Sequence, residues 1–506
     1  GTNSVYVGYQ AGGVGVITGD YNTCVGTNTG KNMTTAYGCT FIGMDAGGLG
    51  VVGGTGTQGR YNTVVGYAAG YDLTTGENNV LLGVNAGSSL EDNSNNIAIG
   101  KAALTAAKSG EADNIAIGTN ALSTENSGAD GCVAIGHNAL LNQNRDASKN
   151  TAIGYNALNA LGGSVTYGGV RNTAVGYEAG GAGAFGGSVD GNGDDNTMVG
   201  RSAGKAITTG YVNTIVGSAA GAALTTGYSN VLLGKSAGQE MTINHNNIAI
   251  GHGALDAATA VEHYNIAIGT GALGAENSSA DFCLAIGYNA LTAQNGNVKN
   301  TAIGGFAGDA IVGGNDNTLV GYLSGSAIVD TPGNTAVGQM SYAKGTGSYN
   351  TVFGAYAGSS IENTSTAMSG DSNVLLGYAA GYKITDGPGN VLIGRDAGKA
   401  MTTGDYNVAI GFQAADGLVG AANDNITIGK NALGGCTAAT SSNIAIGTNA
   451  LSNISYAAAN INLAIGLETG EAITSGTQNV LVGHQAGAAI ADDSYNTALG
   501  YNALKG

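Results

Sequence analysis

The sequence predicts an all-β fold, a parallel β-solenoid of about 28 coils with 17 to 18 residues each. A short phrase such as Asn150-Thr-Ala-Ile-Gly154 recurs along the whole chain of 506 residues. Its central glycine returns at 28 positions, most of them 17 or 18 residues apart, and the chain has 91 glycines but only two prolines. A period this regular indicates stacked coils that contact only their neighbours. We therefore predict a single continuous solenoid shaft over residues 1–506.

The three residues before each glycine form the predicted strand. The first and third of them are Val, Ile, Leu, Phe or Thr, and the middle one is also mostly apolar, as at Leu81 and Ala98. Because alternate residues point to opposite faces of a strand, both faces are apolar and both should be buried. One face can fill the interior of the coil, and the other requires a second surface. We therefore expect an oligomer in which another surface covers that face.

Two further positions recur in almost every coil. Asparagine stands four places before the glycine in 24 of the 28 coils, and alanine stands three places after it in 24. Stacked asparagine amides can donate a hydrogen bond to one neighbouring coil and accept one from the other. Cys39, Cys132 and Cys283 replace asparagine, which makes them small buried substitutes rather than reactive thiols. The predicted structural ladder includes Asn96, Asn114, Asn150, Asn172, Asn247, Asn265 and Asn300, with Gly100, Gly118, Gly154, Gly251, Gly269 and Gly304.

The rest of each coil provides the return path. Leu73, Leu224 and Met401 lie seven places after the motif glycine and before a Thr-Thr-Gly sequence. This spacing predicts that they fill the core from a second strand, and that the following glycine forms the corner with a positive φ. Longer segments rich in glycine and serine should form surface loops. These segments are 44–61, 156–171, 178–195 and 355–372.

Composition and charge exclude several classes of function. The net charge of −17 provides no basic surface for phosphates, so a nucleic-acid partner is excluded. The five cysteines are odd in number and have no ligand spacing, which argues against a disulfide framework and a zinc site. No stretch approaches 18 consecutive apolar residues, so we expect no membrane insertion. Because the sequence begins and ends within the repeat, we expect a segment of a longer polypeptide.

One loop has a spacing that is compatible with calcium. Asp190, Asn192 and Asp194 place oxygen ligands at alternate residues, as in the first half of a calcium-binding loop. No glutamate stands at the twelfth place of that loop, so a bare polar turn is the alternative interpretation. We expect no other cofactor.

The remaining polar and aromatic residues give no catalytic set. His245, His252 and His263 fall on neighbouring coils, where they could approach one another as metal ligands. A repeat distributes its residues by register, and no Ser/His/Asp set or carboxylate pair is favoured by spacing, so we predict a protein that is not an enzyme. Tyrosines that directly follow a motif glycine could provide stacking surfaces for sugars, with a plain solvated surface as the alternative; they include Tyr67, Tyr155, Tyr177, Tyr288, Tyr322, Tyr378 and Tyr501.

The phrase Asn-Thr-Ala-Ile-Gly-Tyr-x-Ala and its variant Asn-Asn-Ile-Ala-Ile-Gly resemble the head repeats of trimeric autotransporter adhesins of the YadA type. They are equally similar to the repeats of phage tail-fibre proteins, and the resemblance spans essentially the whole chain. Both families imply an intertwined or side-by-side homotrimer packed around one axis, in which sister chains would cover the second apolar strand face. The coils are longer here than in the adhesins, and the sequence shows no neck, coiled-coil stalk or anchoring barrel.

The resemblance favours a structural shaft of a virion tail fibre or spike that supports host attachment. The alternative in the same class is a bacterial trimeric adhesin or extracellular filament, so the expected location is a virion or a cell surface. A host glycan or protein receptor is the expected partner besides the sister chains. Two other interpretations rank lower. One is a polysaccharide-degrading β-helix, and the other is an ice-binding solenoid, disfavoured because the most regular threonines are expected to face inward.

Overall fold

The computed structural model describes residues 2–13, 16–48, 58–106, 111–124, 130–142, 148–160, 169–181, 193–259, 262–275, 281–296, 299–359, 367–457 and 459–505. The chain divides into two compact units, Gly1–His263 and Tyr264–Gly506. In both units the described residues form short parallel strands and turns, and none of them is helical. The predicted all-β class is therefore confirmed.

Each unit contains 14 three-residue strands. Unit 1 has β1 (Val5–Val7), β2 (Thr23–Val25), β3 (Thr40–Ile42), β4 (Thr63–Val65), β5 (Val80–Leu82), β6 (Ile97–Ile99), β7 (Ile115–Ile117), β8 (Val133–Ile135), β9 (Thr151–Ile153), β10 (Thr173–Val175), β11 (Thr197–Val199), β12 (Thr214–Val216), β13 (Val231–Leu233) and β14 (Ile248–Ile250). Unit 2 has β15 (Ile266–Ile268), β16 (Leu284–Ile286), β17 (Thr301–Ile303), β18 (Thr318–Val320), β19 (Thr335–Val337), β20 (Thr351–Phe353), β21 (Val374–Leu376), β22 (Val391–Ile393), β23 (Val408–Ile410), β24 (Ile426–Ile428), β25 (Ile444–Ile446), β26 (Leu463–Ile465), β27 (Val480–Val482) and β28 (Thr497–Leu499).

Within each unit, consecutive strands pair in parallel and in register. Ala98 pairs with Ala116, for example, and Leu375 pairs with Leu392. Every strand ends one residue before a motif glycine, so equivalent positions of successive coils lie on top of one another. This arrangement confirms the predicted parallel β-solenoid within each unit. The β-branched residues that dominate the strands suit such a pleated ladder, because their side chains pack against the same residue type in the next coil.

The middle residue of each strand faces the interior. Ala98, Leu232 and Leu375 are fully buried, and so is the alanine three places after the motif glycine, as at Ala103. Leu73 completes this interior from the return path, as predicted. The return path itself differs from the prediction, because its described residues form turns and isolated bridges rather than a second strand.

Two types of coil fill the interior in different ways. In coils that continue Ala-Gly, Gly70 has a φ of 52°, and the large core residue comes three places later at Leu73. In coils that continue Ala-Leu, the leucine itself takes the left-handed conformation, as at Leu122 with a φ of 49°, and is fully buried. A left-handed leucine costs about 1–2 kcal/mol, which burial of its side chain offsets.

The motif glycine is required for two reasons. Its φ lies between 120° and 143° in all coils, a region that other residues rarely adopt. A Cβ on Gly118 would also lie 2.5 Å from the carbonyl oxygen of Gly136 in the next coil. The prediction of a positive φ at the Thr-Thr-Gly corner was wrong, since Gly76 does not have one. Glycine stands there because a Cβ would lie 2.2 Å from the carbonyl oxygen of Asn93.

Candidate interaction surface

The first and third residues of every strand form what we call the outer strand face. In the 28 described strands these positions hold only Val, Ile, Leu, Phe or Thr. They point away from the coil interior, because the middle residue occupies it. Each unit therefore carries an uncharged strip of two columns that continues from strand to strand.

Side chains on the outer strand face range from half-buried to exposed. Leu82 is 46% exposed, Leu233 43% and Phe353 51%. A contiguous apolar surface of this kind is unusual on a protein that stays alone in water, and it marks a site of interaction with another molecule. The outer strand face is thus the strongest candidate for a functional surface in the described part of the chain.

The threonines belong to this outer strand face. Thr173, Thr197 and Thr214 pair in register at the first position of consecutive strands, and the fully buried middle residues lie on the opposite side. The expectation that the regular threonines face inward was therefore wrong. Alternation shows that a strand has two different faces, but it does not show which of two apolar faces closes on the interior.

Asparagines form a buried column beside the strands. The backbone N–H and the side-chain Nδ2 of Asn230 both donate to Oδ1 of Asn213 at 3.0 Å. Nδ2 of Asn230 also donates to the carbonyl oxygen of Asn244 at 2.8 Å. The backbone N–H of Asn247 then donates to Oδ1 of Asn230 at 3.0 Å. These bonds satisfy amide groups that would otherwise be costly to bury.

The predicted ladder residues occupy equivalent places in both units. The buried asparagines are Asn96, Asn114, Asn150, Asn172, Asn247, Asn265 and Asn300. The predicted glycines, which have φ values from 133° to 141°, are Gly100, Gly118, Gly154, Gly251, Gly269 and Gly304. Where cysteine replaces asparagine, its backbone N–H still donates to the preceding asparagine, as from Cys132 to Oδ1 of Asn114 at 2.9 Å.

All five cysteines are buried and reduced. Burial, and to a lesser extent the neighbouring Cys39, raises the pKa of Cys24 to about 12. Burial also raises the pKa of Cys436. Because the thiolate is the reactive form, these thiols are held in the unreactive state near neutral pH.

The calcium candidate is only partly within the described residues. Asp190 and Asn192 lie outside them, whereas Asp194 is buried and accepts a hydrogen bond from the backbone N–H of Val170 at 2.9 Å. Asp194 also pairs with Nη2 of Arg171 at 3.2 Å. Calcium binding stays a prediction.

Two of the three histidines considered as metal ligands approach each other. The ring centroids of His245 and His263 are 3.3 Å apart, and these rings continue a stack that contains Tyr211 and Tyr228. Among the described residues, no group of three or more His, Cys, Asp or Glu side chains is arranged to hold a metal ion. Nor do these residues include a helix with the length and hydropathy needed to cross a bilayer.

Tyrosines after the motif glycine are exposed, as predicted, but many stack on their neighbours. The centroid of Tyr155 lies 5.2 Å from that of His137 and 5.4 Å from that of Tyr177, with near-parallel planes in both pairs. A sugar stacks on the open face of an aromatic ring, and both faces of Tyr155 are covered. This column therefore presents ring edges rather than a stacking platform.

The fold and the recurring positions define a repeat protein of the β-solenoid class, in which each coil packs on the next. No protein-family model matches the chain, and a search of curated proteins finds no similar sequence.

Proposed function

We propose that this protein is a structural shaft that assembles with sister chains, as a homotrimer, by burying the outer strand face. The observation that carries the proposal is the uncharged strip of Val, Ile, Leu, Phe and Thr side chains formed by the first and third residues of every strand. Burial of apolar surface stabilises association by roughly 25 cal/mol per Å², and the strip repeats this contribution in each coil. Association in register would place like coils side by side and cover the strip along each unit.

A virion tail fibre or spike that supports host attachment is the setting we propose for this shaft. The resemblance of the repeated phrase to phage tail-fibre repeats supports it, and the same phrase leaves a bacterial surface adhesin as the alternative within the class. Recovery of the chain from purified virions supports the first setting. Recovery from cell envelopes instead contradicts it.

Sedimentation equilibrium of the full chain tests the assembly. We expect a species of three times the chain mass, because assembly of three chains would bury the exposed apolar side chains of the outer strand face. Leu233→Lys combined with Ile250→Lys places two charges on this face and should give monomers of unchanged circular dichroism. The matched control is Ser218→Lys with His252→Lys. Both residues directly follow a motif glycine, and the coil between them already has a lysine, Lys235, at this position. A monomeric wild-type chain contradicts the proposal.

The outward threonines favour a second candidate, an ice-binding surface. Thr301, Thr318, Thr335 and Thr351 form an unbroken in-register column, with a column of Val, Ile and Phe two residues along each strand. Their methyl and hydroxyl groups repeat about every 4.8 Å across strands, a regular array of the kind that can order water. Thermal hysteresis from a monomeric chain supports this candidate. Its absence removes the candidate without affecting the shaft proposal.

A further inference from the structure

A cleft of about 290 Å³ lies on the surface of unit 2, at the turn that follows the strands. Its lining consists of Tyr356, Tyr378, Ala379, Tyr382 and Lys399. The volume is at the lower end of the range for ligand pockets, which suits one sugar-sized group. Aromatic walls with a single cation are the composition expected of a site that takes a partly apolar, negatively charged ring.

The aromatic rings of this cleft differ in arrangement from the stacked columns. The ring of Tyr356 meets that of Tyr378 edge to face, with centroids 5.9 Å apart and planes at 73°. These two rings are therefore not stacked face to face, whereas the rings of Tyr155 and Tyr177 are. Tyr378 is 51% exposed, so a ligand can reach it.

Lys399 of this cleft and Arg395, which lies beside it, both pair with one buried carboxylate. Asp396, which is 4% exposed, pairs with Nε of Arg395 at 3.2 Å and with Nζ of Lys399 at 3.1 Å. The guanidinium of Arg395 also lies 5.8 Å from the ring centroid of Tyr378 and 5.7 Å from that of Phe412. In a chain with a net charge of −17, such a grouping of cations beside aromatic rings is suited to an anionic group.

A second cleft of about 340 Å³ adjoins the first on the following coils. Its lining includes the side chains of Gln413, Asn431, Asn449 and Asn453, with Asp416 and Glu471. The backbone N–H of Gln413 donates to the carbonyl oxygen of Arg395 at 3.0 Å. The first coil of the second cleft therefore lies directly against the last coil of the first. Amides and carboxylates present both donors and acceptors, as recognition of sugar hydroxyls requires.

We propose that these two adjoining clefts form one binding site for an acidic oligosaccharide. An acidic sugar occupies the cleft of Tyr356, Tyr378 and Lys399, and the next sugars of the chain bind the amide-rich cleft. The site lies outside the outer strand face, so the proposal is independent of how the shaft assembles.

Isothermal titration calorimetry on the full chain tests the site. The ligands are sialylated and uronate-containing oligosaccharides, each compared with its neutral parent. We expect the wild type to bind at least one acidic member about tenfold more tightly than its neutral parent. Tyr378→Ala should raise the Kd of that member about tenfold, because it removes an aromatic wall of the cleft and the ring against which Arg395 lies. Lys399→Gln should remove most of the preference for the acidic member.

The matched control is Tyr177→Ala, which removes an equally exposed tyrosine at the same coil position in unit 1 and should leave Kd unchanged. Circular dichroism and sedimentation of each variant establish that fold and assembly are intact. The proposal is overturned if no acidic member binds, if neutral parents bind equally well, or if Tyr378→Ala and Lys399→Gln leave Kd unchanged.

Discussion

At the scale of single residues, the glycines of this solenoid are subject to two separable constraints. Gly287 and Gly296 have nearly the same φ, 140° and 139°. A Cβ on Gly287 would lie 2.4 Å from the carbonyl oxygen of Gly304, whereas among the described residues the nearest atom to a Cβ on Gly296 is the carbonyl oxygen of Val312 at 4.0 Å. The pair therefore separates the cost of the backbone conformation from the cost of crowding between coils.

We predict that Gly287→Ala lowers the free energy of unfolding of unit 2 by more than about 3 kcal/mol, because conformational strain and a backbone clash add together. Gly296→Ala should cost only about 1–2 kcal/mol, since strain alone acts there. Chemical denaturation of both variants measures the difference. Equal losses would show that crowding between the motif glycines contributes nothing.

At the scale of the coil, the turn after each strand brings charged groups of neighbouring coils together. Burial, followed by repulsion from Asp396, raises the pKa of Asp416 to about 6. The folded chain therefore holds the proton of this carboxyl more tightly than the unfolded chain does. Its contribution to stability is favourable at low pH and is lost as pH rises from about 4 to about 6.

We predict that Asp416→Asn is stabilising relative to wild type at pH 7, by about 1 kcal/mol once partial solvent exposure is considered, and that this advantage vanishes near pH 4. Thermal denaturation midpoints of the two proteins across this pH range measure it. Asp492→Asn is the control, because hydrogen bonds from Ser475 and Thr474 lower the pKa of Asp492 and the pH dependence should have the opposite sign. A constant difference between Asp416→Asn and wild type across the range would contradict the prediction.

At the scale of the whole molecule, both units consist of coils that bond only to the coils before and after them. In such a structure, stability is a sum of local terms, and damage to one coil should stay near that coil. Leu232 and Leu233 allow a direct comparison, because they are adjacent in β13 but face the interior and the outer strand face respectively.

We predict that Leu232→Ala lowers local stability by about 2–5 kcal/mol through the cavity it creates. Hydrogen exchange should then accelerate in β12 to β14 and remain unchanged in β1 to β3. Leu233→Ala should leave exchange in the coil nearly unaltered and weaken self-association instead. Faster exchange throughout unit 1 in Leu232→Ala would contradict the picture of local stability.

The repeat made the fold predictable, because a constant period by itself sets the register in which coils stack. The buried Asn column and the core position of Leu73 followed from the same spacing. The orientation of the strands did not follow, because residues such as Ile97 and Ala98 are both apolar and either could face inward. The cleft at Tyr356 and Tyr378 could not be predicted from the sequence, because its residues are brought together across coils of 23 and 17 residues and by side-chain directions at their turns.

The asparagine column has a direction, because the backbone N–H at this position donates to Oδ1 of the asparagine in the coil before it, as from Asn230 to Asn213 and from Asn247 to Asn230. A coil with asparagine at this position offers the same backbone donor to the coil before it and the same side-chain acceptor to the coil after it. Removing or inserting one entire coil therefore preserves the chain of bonds, while a shift of one residue breaks it. We therefore expect each unit to be lengthened or shortened along its stack by whole coils, whereas loops within a coil can differ by single residues.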